Sequence, residues 1–281
     1  MKFGAHIYIF IERWSDDALH VIDTAKELGL DCLEIALGDD VKFDPKKTKK
    51  QAEKTGLELV MSPGGVWPDG YDISSPVKAE REKGFEWHRD NMYRAAESGA
   101  SAYTGALYGK PGVLEKRRPH EDEYERISEG LHGLAELGVK LGMKVVLEPM
   151  SRFRTHLVNK PSQVLELISR ADHDNLYALL DTYHMTPEIR DFGSEIVRTG
   201  EKLWGLHACE NDRGVPGGGI VPWDDVFSSL KHIKFDGYVI MESYNTSIPG
   251  LAQGHMVFGD VCPDGKEFVT EGLSFLKDGL M

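Results

Sequence analysis

LWGLHACENDRG, residues 203–214, begins as an apolar run and ends in a cluster of reactive side chains. Leu203, Trp204 and Leu206 are core residue types, yet His207, Cys209, Glu210, Asn211, Asp212 and Arg213 follow at once. A buried strand with a polar tip is expected where parallel strands deliver their C-terminal ends to one mouth. The pattern recurs nearby: KVVLE ends at Glu148, YALLD at Asp181 and YVIME at Glu242.

Working outward, short apolar runs alternate with segments of helical period along the whole chain. Strands are expected over 3–9, 32–37, 57–62, 102–107, 144–149, 177–181, 203–207 and 238–242. Helices are expected over 16–28, 45–55, 77–98, 122–141, 161–170, 187–199, 223–232 and 266–276. Ser15, Asp16 and Asp17 read as a capping start, Pro161 and Pro187 as first-turn prolines, and Gly29, Gly56, Gly99 and Gly142 as stops. Eight strand–helix units without a linker or low-complexity segment predict an α/β chain folded as a single (β/α)8 barrel over residues 1–281. An open doubly wound sheet is the alternative. No GxGxxG follows the first strand, which weighs against it.

The bulk composition narrows the partners. A hydrophobic share of 41% and a charged share of 28% are those of a globular protein. A net charge of −13 disfavours a nucleic-acid partner, which needs a basic face to displace counterions. Three scattered cysteines, Cys32, Cys209 and Cys262, make neither a disulfide framework nor a CxxC site, so a reducing, cytoplasmic setting is expected. The N-terminal MKFGAHIYIFIERW reads as a first strand rather than a leader, and no run is long enough for a membrane span.

Four successive strand ends therefore carry Glu148, Asp181, His207 and Glu242. Three crowded carboxylates raise one another's proton affinity unless a cation sits among them. Three carboxylates and one imidazole form a hard, oxygen-rich set that suits Mn²⁺ or Mg²⁺, with Co²⁺ also compatible.

The strings LEP (147–149), LDTYHM (180–185), HACENDR (207–213) and IME (240–242) resemble the xylose-isomerase-like barrels. Within them, the chain is most similar to ketose 3-epimerases of the tagatose/allulose (psicose) and L-ribulose type. FGAHIYIF, LGLDCLEI (28–35) and GALYG (105–109) extend the resemblance over nearly the whole chain. It implies a metal held by Glu148, Asp181, His207 and Glu242, with the two glutamates as acid and base. C3 of a ketose would be inverted through a cis-enediolate, with His184 and Arg213 holding the oxygens at the C1–C2 end. Glu210 is expected to orient a neighbour. The resemblance also implies a small-molecule sugar substrate and a homodimer or homotetramer.

One position departs from that pattern. The free-ketose epimerases carry a second glutamate six residues after the first, where this chain has Arg154. Arginine is a fixed cation that cannot accept a hydroxyl proton. Three readings of Arg154 are open: with Arg152 it binds a phosphate or carboxylate of the substrate, it pairs with a neighbouring acid and leaves a neutral sugar pocket, or it is a solvated loop arginine. Tyr8 and Phe10 fall on one side of an alternating first strand, as His6 does; Tyr8, Phe10, Trp14 and Trp67 are expected to form an apolar wall for the sugar, with His6 and Tyr8 as substrate-binding residues. The glycine-rich tract 214–223 reads as a mouth loop without a P-loop signature, and 243–265 as a lid or an interface segment. Competing functions on the same metal set are a ketose-phosphate epimerase, an aldose–ketose or hydroxypyruvate-type isomerase and an inosose dehydratase. An endonuclease-IV-like repair enzyme is a more distant alternative, disfavoured by the acidity and the single histidine at the strand ends.

Overall fold

The computed structural model describes residues 1–281. Eight parallel strands close into a barrel in sequence order. They are β1 (Lys2–His6), β2 (Cys32–Leu37), β3 (Glu58–Pro63), β4 (Ala102–Gly105), β5 (Lys144–Leu147), β6 (Leu176–Asp181), β7 (Leu203–Ala208) and β8 (Tyr238–Met241). The helices are α1 (His20–Glu27), α2 (Pro45–Thr55), α3 (Lys78–Glu97), α4 (Glu121–Leu141), α5 (Pro161–Ala171), α6 (Thr182–Met185), α7 (Phe192–Thr199), α8 (Trp223–His232), α9 (Pro249–Gly254) and α10 (Gly265–Leu280). The expected barrel is the observed one, and the open-sheet alternative is excluded by the pairing of β8 with β1.

Local chemistry sets most boundaries. Asp44 caps α2 by accepting from Lys46 N at 2.9 Å, with Pro45 in the first turn and Gly56 closing the helix in the left-handed region at φ 68°. Three expectations fail locally. The first strand stops at His6 and turns into a 3-10 segment over Ile7–Ile9, so Tyr8 and Phe10 do not continue its alternation. Ser15 makes no cap; Asp16 instead accepts from Asp44 N at 2.8 Å, and α1 begins only at His20. Pro187 lies in a turn rather than a first helical turn, because Asp181 caps the short α6 and Asp191 caps α7 at Phe192.

The main core lies between the outer strand faces and the helices. A second, smaller cluster fills the barrel: Cys32, Val60, Ala102, Val146, Leu179, Trp204 and Ile240. Gly4 completes this layer by absence, since a Cβ there would stand 2.3 Å from Cys32 Sγ. Side chains alternate across a strand, so the next residues on the same face lie two positions further on. Those residues are Glu34, Ser62, Thr104, Glu148, Asp181 and Glu242. The barrel thus changes from an apolar plug to a polar mouth within one repeat of the strand. A register shift between Ala178 and Leu179 sets Asp181 opposite His207.

Candidate active site

Glu148 and Glu242 lie one residue beyond β5 and β8, Asp181 closes β6 and His207 is the penultimate residue of β7. Their ligand atoms all lie within 4.8 Å of one another. His207 is the hub. Its Nδ1 is 2.9 Å from Glu148 Oε1 and 3.1 Å from Glu242 Oε2, and its Nε2 is 2.7 Å from Glu34 Oε2. Thr104 Oγ1 donates to the other Glu34 oxygen at 2.7 Å, and Tyr108 Oη donates to the Glu148 carbonyl at 2.8 Å. The tip of β5 is thereby fixed from behind.

Burial raises the cost of every charge here, and the neighbours decide the outcome. Burial pushes His207 down, but Glu34, Glu148 and Glu242 outweigh it and hold the imidazole well above its ordinary value. Burial pushes Glu148 up to about 7 against the pull of His207, with Glu242 and Asp181 adding to the rise. Glu242 goes the other way: Arg213 and His207 overcome its burial and hold it well below the usual carboxylate range. The two glutamates are therefore driven apart in proton affinity.

The donor set fits a divalent cation. Four buried or nearly buried groups converge, three of them carboxylates, and Asp181 Oδ2 is buried without a well-aligned hydrogen-bond donor, its one close neighbour being a guanidinium nitrogen. Within the protein alone, the positive charge beside them comes from His207 and from Arg213, whose Nη1 is 2.8 Å from Asp181 Oδ2 and 2.9 Å from Glu242 Oε2. Arg213 is a buried residue at φ 72°, a left-handed conformation that costs a non-glycine residue energy and persists where surroundings enforce it. Ser243 Oγ helps by donating to its carbonyl at 2.6 Å.

The carboxylates Glu34, Glu148 and Glu242 line a cavity of about 360 Å³ together with His6, Tyr8, Trp67, Arg154, Tyr244 and His255. A wider groove of about 730 Å³ runs along the outside, past Arg117 and His156, and contains none of the four ligand candidates.

A sequence model of the xylose isomerase-like TIM barrel family matches residues 22–278. The chain belongs to that family. A probable ketose 3-epimerase of Synechocystis sp. is 28% identical over 99% of this chain and 96% of its own length. A ketose 3-epimerase of Arthrobacter globiformis is 29% identical over 100% and 97%. The D-allulose 3-epimerase of Methylomonas sp., solved in complex with D-allulose, matches with a TM-score of 0.92 at 26% identity, covering 99% of this chain and 96% of that one. These relatives are isomerases, and this chain is an enzyme of that class.

The other residues singled out in the sequence of this xylose isomerase-like barrel divide clearly. His6, Tyr8, Trp67 and Arg154 line the cavity. His6 Nδ1 accepts from Tyr8 N at 3.2 Å, and Tyr8 Oη accepts from Gly65 N at 3.2 Å, so both are held by backbone. Phe10 and Trp14 do not join that wall: Phe10 packs against the core, and Trp14 is fully buried with its indole donating to Thr48 at 3.1 Å. His184 and Arg213 stand beside Asp181 rather than among the cavity-lining residues, and His184 Nδ1 accepts from Ser151 N at 3.2 Å. Arg152 is removed from the site by a bidentate pair with Glu188, at 2.8 Å on each arm. Glu210 orients the glycine-rich tract, accepting from Gly217 N at 2.7 Å and from the Trp223 indole at 2.6 Å.

Sequence reasoning missed Glu34, Tyr244 and His255. Glu34 interrupts the apolar run CLEIAL, which is a signal in itself, since a carboxylate inside a buried strand needs a partner. Tyr244 and His255 had no local signal; their rings stack at 3.9 Å only because the segment after β8 folds back over the mouth. No helix of the chain is long and apolar enough to cross a membrane.

Proposed function

We propose that this enzyme is a divalent-metal-dependent ketose 3-epimerase. The observation that carries the reading is the pair Glu148 and Glu242, which meet one imidazole nitrogen at the base of a sugar-sized cavity with proton affinities driven in opposite directions. Glu148, Asp181, His207 and Glu242 would hold the cation, with Mn²⁺ first, then Mg²⁺ or Co²⁺. The chemistry such a cation supplies when bound is Lewis-acid polarisation of the ketose carbonyl and stabilisation of the charge left by proton removal.

The protein's own residues do the rest. One glutamate takes the C3 proton, and the other returns a proton to the opposite face, so that C3 inverts through a cis-enediolate. Arg213 holds Glu242 ionised, and Tyr108 and Thr104 keep the β5 tip and Glu34 in place. His184 and Arg213 would hold substrate oxygens near Asp181. The segment 243–265, which brings Tyr244 and His255 to the cavity, would serve as its lid. The sequence relationship to curated ketose 3-epimerases at 28–29% identity supports this choice over isomerisation between C1 and C2.

The test is proton exchange by NMR, with Mn²⁺-loaded protein in D₂O and a panel of D- and L-ketoses. Deuterium at C3 accompanied by the C3 epimer is the expected result. Exchange confined to C1, or none at all, would move the assignment to an isomerase or dehydratase on the same site.

A further inference from the structure

Arg154 occupies an unusual electrostatic position. It lines the same cavity as the carboxylate cluster, but no carboxylate oxygen lies within 4.0 Å of its guanidinium, and its side chain donates no hydrogen bond to any protein group. Its neighbour Arg152 shows the contrast, fully engaged by Glu188 outside the cavity. Nor is Arg154 free in solvent, being partly buried. Two further cavity-lining groups, the Tyr244 hydroxyl and the His255 ring, also lack a side-chain hydrogen-bond partner. The Tyr244 and His255 rings stack on each other with centroids 3.9 Å apart. Lys110 adds a second cation to the lining, although Asp69 holds it at 2.5 Å.

The cavity lining therefore combines two kinds of group, the carboxylates Glu34, Glu148 and Glu242 and a set of donors, Arg154 among them, without a protein partner. A guanidinium fork taken partly out of water without a partner is costly, and an oxyanion able to accept two parallel N–H bonds relieves that cost. A single sugar hydroxyl does not present two coplanar acceptor oxygens to the fork and carries no charge to balance the cation. Resting on the epimerase reading for the carboxylate cluster, we infer that the substrate is an anionic ketose. Its phosphate or carboxylate group is bound by Arg154, with Tyr244 and His255 as further donors from the same cavity lining.

The experiment compares three forms of one skeleton, neutral, 6-phosphate and 6-carboxylate, for D-fructose, D-tagatose and D-psicose. Binding is measured by titration calorimetry, and C3 exchange is followed by NMR in D₂O, in the wild type, Arg154→Ala and Arg154→Lys, with melting curves to confirm folding. At least one anionic form is expected to bind about tenfold or more tightly than its neutral parent, the loss on truncation being that of a charged hydrogen bond. Arg154→Ala should collapse that ratio to near unity and Arg154→Lys should retain part of it. The tighter of the two anionic arms distinguishes phosphate from carboxylate. Equal binding of neutral and anionic forms, or an anion preference that survives Arg154→Ala, overturns the inference. Anion-selective binding without C3 exchange would sustain it while removing the epimerase reading, and C3 exchange on neutral ketoses without anion preference would do the reverse.

Discussion

Two layers of the barrel interior lie only two residues apart on most strands and have opposite chemistry. The lower layer, Cys32, Val60, Ala102, Val146, Leu179 and Ile240, is wholly buried and apolar. The upper layer holds Glu34, Glu148, Asp181, His207 and Glu242, with more carboxylates than cations. One is a source of stability through burial and close packing. The other concentrates like charges in a desolvated space, which costs stability and makes a cluster that could hold a cation. The difference teaches that period-2 alternation lets a single strand serve both purposes without interference.

The largest expected effect separates the layers by function. Glu148→Gln and Glu242→Gln should each lower the C3 exchange rate by about 10³-fold, within the range of general acid–base catalysis. Metal content must be measured in parallel, so that a lost ligand is not mistaken for a lost base. In chelator, Glu148→Gln should leave the melting temperature unchanged or raise it, since it removes one of the excess negative charges. A fall of several degrees would break the comparison.

The lower layer should respond in the opposite sense. Ile240→Ala should cost about 2–5 kcal/mol of unfolding free energy through lost burial and a residual cavity. Urea unfolding should show a lower midpoint with an unchanged slope, and metal bound per folded molecule should stay the same. Loss of metal stoichiometry would mean that the layers are coupled.

A third prediction concerns protons. His207 is held protonated well above its ordinary value by Glu34, Glu148 and Glu242 despite its burial, and a ligating imidazole must be neutral. Mn²⁺ binding near neutral pH should therefore release protons, and affinity should rise with pH. Calorimetry in two buffers of different ionisation enthalpy reads this directly; identical heats would remove His207 from the ligand set.

The smallest effect is a control from outside the barrel, where charges are matched. Against its burial, Glu123 is held down to about 2 by Arg117, by the His120 backbone N–H and by His156. A lowered carboxyl pKa gives stability that is complete above the unfolded value and is lost as pH falls through the folded one. Glu123→Gln should therefore be less stable than the wild type by about 1 kcal/mol at pH 6, a value discounted because Arg117 is partly exposed. The gap should narrow steadily towards pH 2.

Much of this was legible along the chain because strand tips carry their own signal. An apolar run ending in one ionisable residue identifies both a buried strand and the end at which it emerges, and Glu148, Asp181, His207 and Glu242 all obey that rule. Glu34 does not. Strand β2 continues for three apolar or small residues beyond it, so reading only last residues passed over a group that contacts His207 at 2.7 Å. The first strand failed for a related reason. Apolar residues in a 3-10 turn packed on the core resemble strand residues in composition, and only the turn carries Tyr8 towards Gly65.

The sequence by itself determined the alternation of eight strands and helices, the apolar and polar faces of each strand and the four strand-tip ligand candidates. These follow from nearest-neighbour chemistry: period, caps and the cost of burying a charge. Only the tertiary structure decided which arginine was satisfied. Arg152 and Arg154 are two residues apart in similar local sequence, yet one meets Glu188 across the outer surface and the other faces the cavity without a partner. It likewise decided that Tyr244 and His255, from beyond the last strand, reach the mouth. Partners so far apart along the chain are set by closure of the barrel, which no local pattern encodes.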